Sequence, residues 1–145
     1  MTANISIVTL GVDDLAASTR FYESLGWQNT TASQETVTFL QGHSIVLGLY
    51  GRAALAEDAR IDDTPAGFRG VTLAINLPDR AAVDSFFAHA IGHGAAAIKQ
   101  PQDVFWGGYS GYFADPDGHL WELAHNPFFK ADPKTGQISL EGKNK

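Results

Sequence analysis

Val8-Thr9-Leu10-Gly11-Val12 returns 63 positions later as Val71-Thr72-Leu73-Ala74-Ile75, and a helical pattern follows each copy. An internal repeat constrains the fold more than composition does, because each copy must be a supersecondary unit that buries a face against its own helix. In the first copy, residues 5–12 read as a β-branched strand. Asp13 or Asp14 caps a helix with apolar positions Leu15, Ser18, Phe21, Tyr22 and Leu25, and Gly26 stands where a left-handed end is expected. Runs at 27–30, 36–40 and 44–50 complete a βαβββ unit.

The second copy repeats this order. Pro78 lies near the first turn of a helix with the stripe Val83, Phe86, Phe87, Ala90 and Ile91, which Gly92 or Gly94 ends. Residues 95–99 extend, 100–108 loop, and 109–114 and 119–125 form a hairpin about Asp115-Pro116-Asp117-Gly118. The expected fold class is α+β, with tandem βαβββ modules: one domain over 1–127, made of module one at 5–50, a linker at 51–69 and module two at 70–127, then a polar tail at 128–145. The linker carries a short helical pattern at 52–60.

Alternation along the strands separates two faces. Val8, Leu10, Val12, Ile45, Leu47, Leu49, Val71, Leu73, Ile75, Trp121 and Leu123 form a bulky face for the helices. The other face is smaller and more polar: Ile7, Thr9, Ser44, Val46, Gly48, Gly70, Thr72 and Glu122. That is the lining of a cavity. Glu122 stands alone between Leu120 and Ala124, so a carboxylate there needs a donor, a cation or a ligand to offset its desolvation. The aromatic residues around Gly107-Gly108 suit a pocket wall, with Trp106, Tyr109 and Tyr112 as ligand-binding candidates. Tyr50 and Arg52 are rim candidates, and Arg52 suits an anionic or carbonyl group.

A formal net charge of -6 disfavours nucleic acid and anionic membrane surfaces, which leaves small molecules as partners. No basic, apolar leader and no apolar run of about 18 residues is found, so a cytoplasmic location without a membrane span is expected. The absence of cysteine removes disulfides, thiolate metal sites and cysteine nucleophiles. Of the five histidines, His89 and His93 are spaced as a chelate but lie on a helix's polar edge; His119 and His125 fall on the strand face opposite Glu122, with His125 near a rim; His43 lies in a turn. The Asp115–Gly118 run has its glycine at the wrong place for a calcium loop, Ser110 lacks the glycine spacing of a nucleophile elbow, and no phosphate loop occurs.

On VTLGVDDLAASTRFYESLGW, VTLAIN and GYFADPDGHLWEL, over roughly residues 5–127, the chain resembles the vicinal oxygen chelate superfamily of glyoxalases, bleomycin-resistance proteins and extradiol dioxygenases. The resemblance implies a curled mixed sheet around a concave site, and commonly a homodimer. It places metal ligands at the positions of Ile7, Val46 or its neighbour Leu47, Gly70 and Glu122. Only Glu122 can bind an ion, and tight catalytic sites use about three or more protein ligands. A member lacking most of the usual metal ligands is therefore expected, with no cofactor and at most a weakly held divalent metal through Glu122.

The expected function is binding of a small, partly aromatic organic ligand in a metal-poor pocket lined by Thr9, Val46, Tyr50, Arg52, Thr72, Trp106, Tyr109 and Tyr112. The alternative is a lyase, isomerase or dioxygenase with a non-standard metal site, or with Glu122 as catalytic general base. A third reading is an interaction module whose concave face is closed by a partner.

Overall fold

A computed structural model describes residues 5–64 and 67–140. The chain divides into two compact units. The first comprises the described residues up to Val71 together with Asp115–His119; the second comprises Thr72–Ala114 together with the described residues from Leu120 onward.

In the first unit, β1 (Ile7–Val12) leads into α1 (Leu15–Ser24), followed by β2 (Gln28–Asn29), β3 (Val37–Gln41), β4 (Val46–Gly51) and α2 (Arg52–Ala59). The Asp14 carboxylate accepts from the Ala17 amide at 3.0 Å, so the helix starts where the sequence places its cap. The sheet order is β1-β4-β3-β2, with β1 parallel to β4 and the other pairs antiparallel. Leu10, Val12, Leu40, Leu47 and Leu49 are buried with Phe21 and Tyr22 of α1. The strand face predicted to be bulky is thus the one that packs on the helix.

The turn at 115–119 belongs to this unit through a set of polar contacts. The Tyr22 hydroxyl donates to the Asp115 carboxylate at 2.6 Å, with both residues buried. The other Asp115 oxygen accepts from the amides of Asp117 and His119. The Ser18 hydroxyl donates to Asp117 at 3.0 Å, the Asp13 amide donates to the same carboxylate at 2.9 Å, and His119 Nε2 donates to the Gly11 carbonyl at 2.7 Å. This accounts for an aspartate and a serine in an otherwise apolar setting, since buried polar groups need partners.

In the second unit, β5 (Leu73–Asn76) leads into α3 (Arg80–Gly92), then β6 (Ala96–Asp103), β7 (Tyr109–Ala114) and β8 (Leu120–His125). The sheet order is β5-β8-β7-β6, repeating the first unit with one parallel pair. Asp79 caps α3, and Val83, Phe87 and Ala90 bury its inner face beside Phe113, Trp121 and Leu123. The α+β class and the paired βαβββ modules are as expected, each module forming its own four-stranded mixed sheet.

Three local expectations are corrected. Val71 is 65% exposed, because Gly70 turns the chain at φ +77 and β5 begins only at Leu73. The segment 100–103 continues β6 instead of forming a loop. Pro101 is tolerated there because β6 is an edge strand with register shifts on either side of Lys99, and Gly111 leaves room for the displaced backbone: a Cβ on Gly111 would lie 2.8 Å from the Lys99 carbonyl oxygen. Tyr109 projects on the helix-facing side of its strand, as described below. Among the described residues, no helix is long and apolar enough to cross a membrane.

Candidate functional site

Glu122 occupies the middle of the face of the second sheet that α3 does not cover. Its cross-strand partners are Ala74 on β5 and Tyr112 on β7, and Tyr112 in turn faces Lys99 on β6. Cross-strand partners project to the same side, so Ala74, Glu122, Tyr112 and Lys99 form one row. Leu73, Ile75, Trp121, Leu123 and Phe113 take the opposite side.

The Tyr112 phenol belongs to the residue directly across the strand pair from Glu122. Its proton affinity is raised above that of an ordinary tyrosine, first by burial and then by the Glu122 charge, while Thr72 acts in the opposite direction. Thr72, Tyr112 and Glu122 thus form one polar group on this face.

This row opens into a recess of about 280 Å³, lined by Lys99, Val104, Trp106, Ser110, Tyr112 and Glu122, with Asp103 and Phe105 at its margin. Its outer wall is a tight turn. The Val104 amide donates to the Gly108 carbonyl, and the Gly107 amide donates to the Val104 carbonyl, each at 3.0 Å. The Trp106 ring folds back onto Gly108 and occupies the space where a Cβ would stand. A half-buried indole is thereby fixed by contact with backbone.

Tyr109 is not part of this face. It is three residues from Tyr112, an odd separation along a strand, and its side chain lies toward α3. Its hydroxyl donates to Asp84 at 2.7 Å, and the Arg80 guanidinium lies 4.7 Å from its ring centroid while pairing with Asp103. The phenol's proton affinity is raised, chiefly by the Asp84 hydrogen bond. These contacts occupy Tyr109 structurally.

In the first unit, Thr9 faces Gly48 and Val46 faces Ile7, while Tyr50 faces Gly11 and Val37. Thr9, Val46 and Tyr50 therefore share the face of the first sheet opposite α1, with the half-buried Phe39 between them, the half-exposed Ile7 at the edge and the start of α2 against Gly11. Arg52 donates through Nε to Asp63 at 2.8 Å, and this partner raises its already high proton affinity. Its charge is committed within the linker.

The structure thus brings Thr72, Trp106, Tyr112 and Glu122 together on one face, and Thr9, Val46 and Tyr50 on another. Lys99 and Ser110 were missed. Ser110 shares its parity with Tyr112, which the sequence does show.

The donor set does not fit a family-type metal centre. Ile7, Val46, Leu47 and Gly70 offer no ligating side chain. Among the described residues, no group of three or more His, Asp or Glu is placed to hold an ion. His89 and His93 pack ring to ring at 4.2 Å, both exposed, with His93 Nδ1 donating to the His89 carbonyl.

Known structures share this fold. The chain is 30% identical to a glyoxalase-related enzyme from Fulvimarina pelagi, with a TM-score of 0.84 over 97% of this chain and all of that one. A glyoxalase/bleomycin resistance protein/dioxygenase family enzyme from Burkholderia phytofirmans matches at 22% identity and a TM-score of 0.77, over 85% of this chain and 98% of that one. An uncharacterized protein of Mycobacterium bovis is 37% identical over 62 residues, a stretch spanning 41% of this chain and only 39% of that relative's length. The family model described as Glyoxalase/Bleomycin resistance protein/Dioxygenase superfamily matches residues 4–123. The chain belongs to that superfamily.

Proposed function

We propose that the protein binds a small, partly aromatic organic ligand on the open face of its second sheet, in a site poor in metal ligands. The supporting observation is the Tyr112–Glu122 cross-strand pair, set across two strands in a recess walled by the Trp106 indole. Such a recess combines flat apolar area with a few fixed polar groups, which is how small-molecule sites obtain both affinity and orientation. Glu122 would take a donor on the ligand, Tyr112 and Thr72 would offer hydroxyls beside it, and Trp106 would stack on the ring. In the first unit by itself, Thr9, Val46 and Tyr50 are proposed as ligand-contact residues on the sheet face opposite α1. We also propose a homodimer as the working form, on the family resemblance; light scattering during gel filtration would read it.

The test is a screen of aromatic fragments by NMR in the presence of chelator, with Trp106→Ala and Glu122→Ala as controls. Saturable binding that perturbs Trp106, Tyr112 and Glu122 and is lost in Trp106→Ala supports the reading. Fragments that never perturb those residues, or that bind only without chelator, contradict it.

A second reading is favoured by the same pair. A carboxylate in such a recess can take a proton from the α carbon of a β,γ-unsaturated carbonyl compound and return it to the γ carbon, the double bond moving from β,γ to α,β, an isomerisation that is balanced without any redox partner. Turnover lost in Glu122→Gln with ligand affinity kept would select this reading, and no step in it passes through a metal.

A further inference from the structure

A second cavity, larger than the recess at about 380 Å³, lies where β5 and β8 end and the chain after β8 crosses them. Its lining carries the positive charge of Lys130 and no acidic side chain, in a chain whose net charge is -6, with His125 as a further polar group. Two amides, those of Asn76 and Asn126, complete the polar set, while Pro78 and Phe129 supply apolar wall.

Two of these groups are held in defined orientations. The Asn126 carboxamide oxygen accepts from the Phe128 amide at 2.9 Å, so its NH2 group remains as the donor. His125 Nδ1 lies 3.2 Å from the Leu77 carbonyl oxygen, which can only accept, so Nδ1 carries a proton and Nε2 of the neutral ring is an acceptor. The cavity therefore offers a cation, the fixed Asn126 amide donor, one imidazole acceptor and an aromatic wall.

We propose that this cavity is a binding site for a small organic acid, with its carboxylate on Lys130 and the Asn126 amide, its apolar body against Phe129 and Pro78, and a hydroxyl on that body donating to His125 Nε2. The site is separate in its residues from the Glu122 recess and shares none of its lining. A carboxylate on the lysine ammonium gains a charge-assisted hydrogen bond, whereas a neutral or cationic analogue of the same shape does not.

The test titrates the full chain with 4-hydroxybenzoate and follows backbone amide resonances, with 4-hydroxybenzyl alcohol and tyramine as the neutral and cationic controls. Saturable shifts are expected at Asn76, Leu77, His125, Asn126 and Lys130 with the acid alone. Lys130→Glu, a change at an exposed side chain, should weaken binding about tenfold or more. Absence of saturable shifts at these residues, equal binding of tyramine, or unchanged affinity in Lys130→Glu overturns the proposal. Shifts at Trp106, Tyr112 and Glu122 in the same spectra report separately on the recess, so the two sites fail or stand independently.

Discussion

Tyr112 stands directly opposite Glu122 on the neighbouring strand, and the Glu122 charge helps to raise the proton affinity of its phenol. The carboxylate thus has a phenol-bearing neighbour on one side and the recess beside it. Glu122→Gln removes the charge that helps hold the phenol protonated. The Tyr112 titration, read as the phenolate absorbance that disappears in Tyr112→Phe, should move down toward the ordinary value of 10.0 in Glu122→Gln. An unmoved titration would mean that burial alone sets the phenol's affinity.

The same phenol makes stability depend on alkaline pH. Its proton affinity is raised on folding, so its contribution is fully present below the ordinary tyrosine value, where both states are protonated. Above that value the unfolded chain ionises first, and stability falls until the native phenol also ionises. Tyr112→Phe should flatten part of that alkaline decline in urea-unfolding experiments. Tyr109→Phe should flatten less of it, because that phenol is exposed to solvent screening.

Tyr22 and Asp115 form a buried pair at the turn between β7 and β8. Tyr22→Phe deletes a hydrogen bond to a charged group and should cost about 1.5–3 kcal/mol in unfolding free energy. Asp115→Ala should cost more, since it also strips acceptors from the Asp117 and His119 amides. A stability unchanged by Tyr22→Phe would show that this pair contributes nothing net.

Gly108→Ala places a methyl group where the Trp106 ring rests. The indole must leave its seat, so tryptophan fluorescence should shift toward that of an exposed ring and ligand affinity should drop while the fold is retained. Gly111→Ala instead meets backbone atoms of Lys99 and Pro101 within about 3 Å and should destabilise by about 1–3 kcal/mol, read by thermal unfolding.

Much of this was legible in the sequence because it rests on local chemistry. Pro116 and Gly118 define the hairpin turn, Asp14 caps its helix within three residues, and strict alternation sets Glu122 against Trp121 and Leu123. Alternation could also have removed Tyr109 from the site, since it and Tyr112 cannot share a strand face. What was not legible depends on distant partners. Arg52 is neutralised by Asp63, eleven residues away in an irregular linker. The reach of β6 through Pro101 depends on the bare surface of Gly111 on the adjacent strand, and Lys99 joins the recess only through that bulged register.

The central claim is that Glu122 serves an organic ligand and not a completed metal centre. Calorimetric titration of chelator-stripped protein with Zn²⁺, Ni²⁺, Mn²⁺ and Fe²⁺, with Glu122→Ala as the control, tests it directly. No saturable site of micromolar or tighter affinity dependent on Glu122 is predicted, because one carboxylate cannot supply the about three ligands that such sites require. Tight binding that disappears in Glu122→Ala would contradict the account and make metal-assisted catalysis the leading reading.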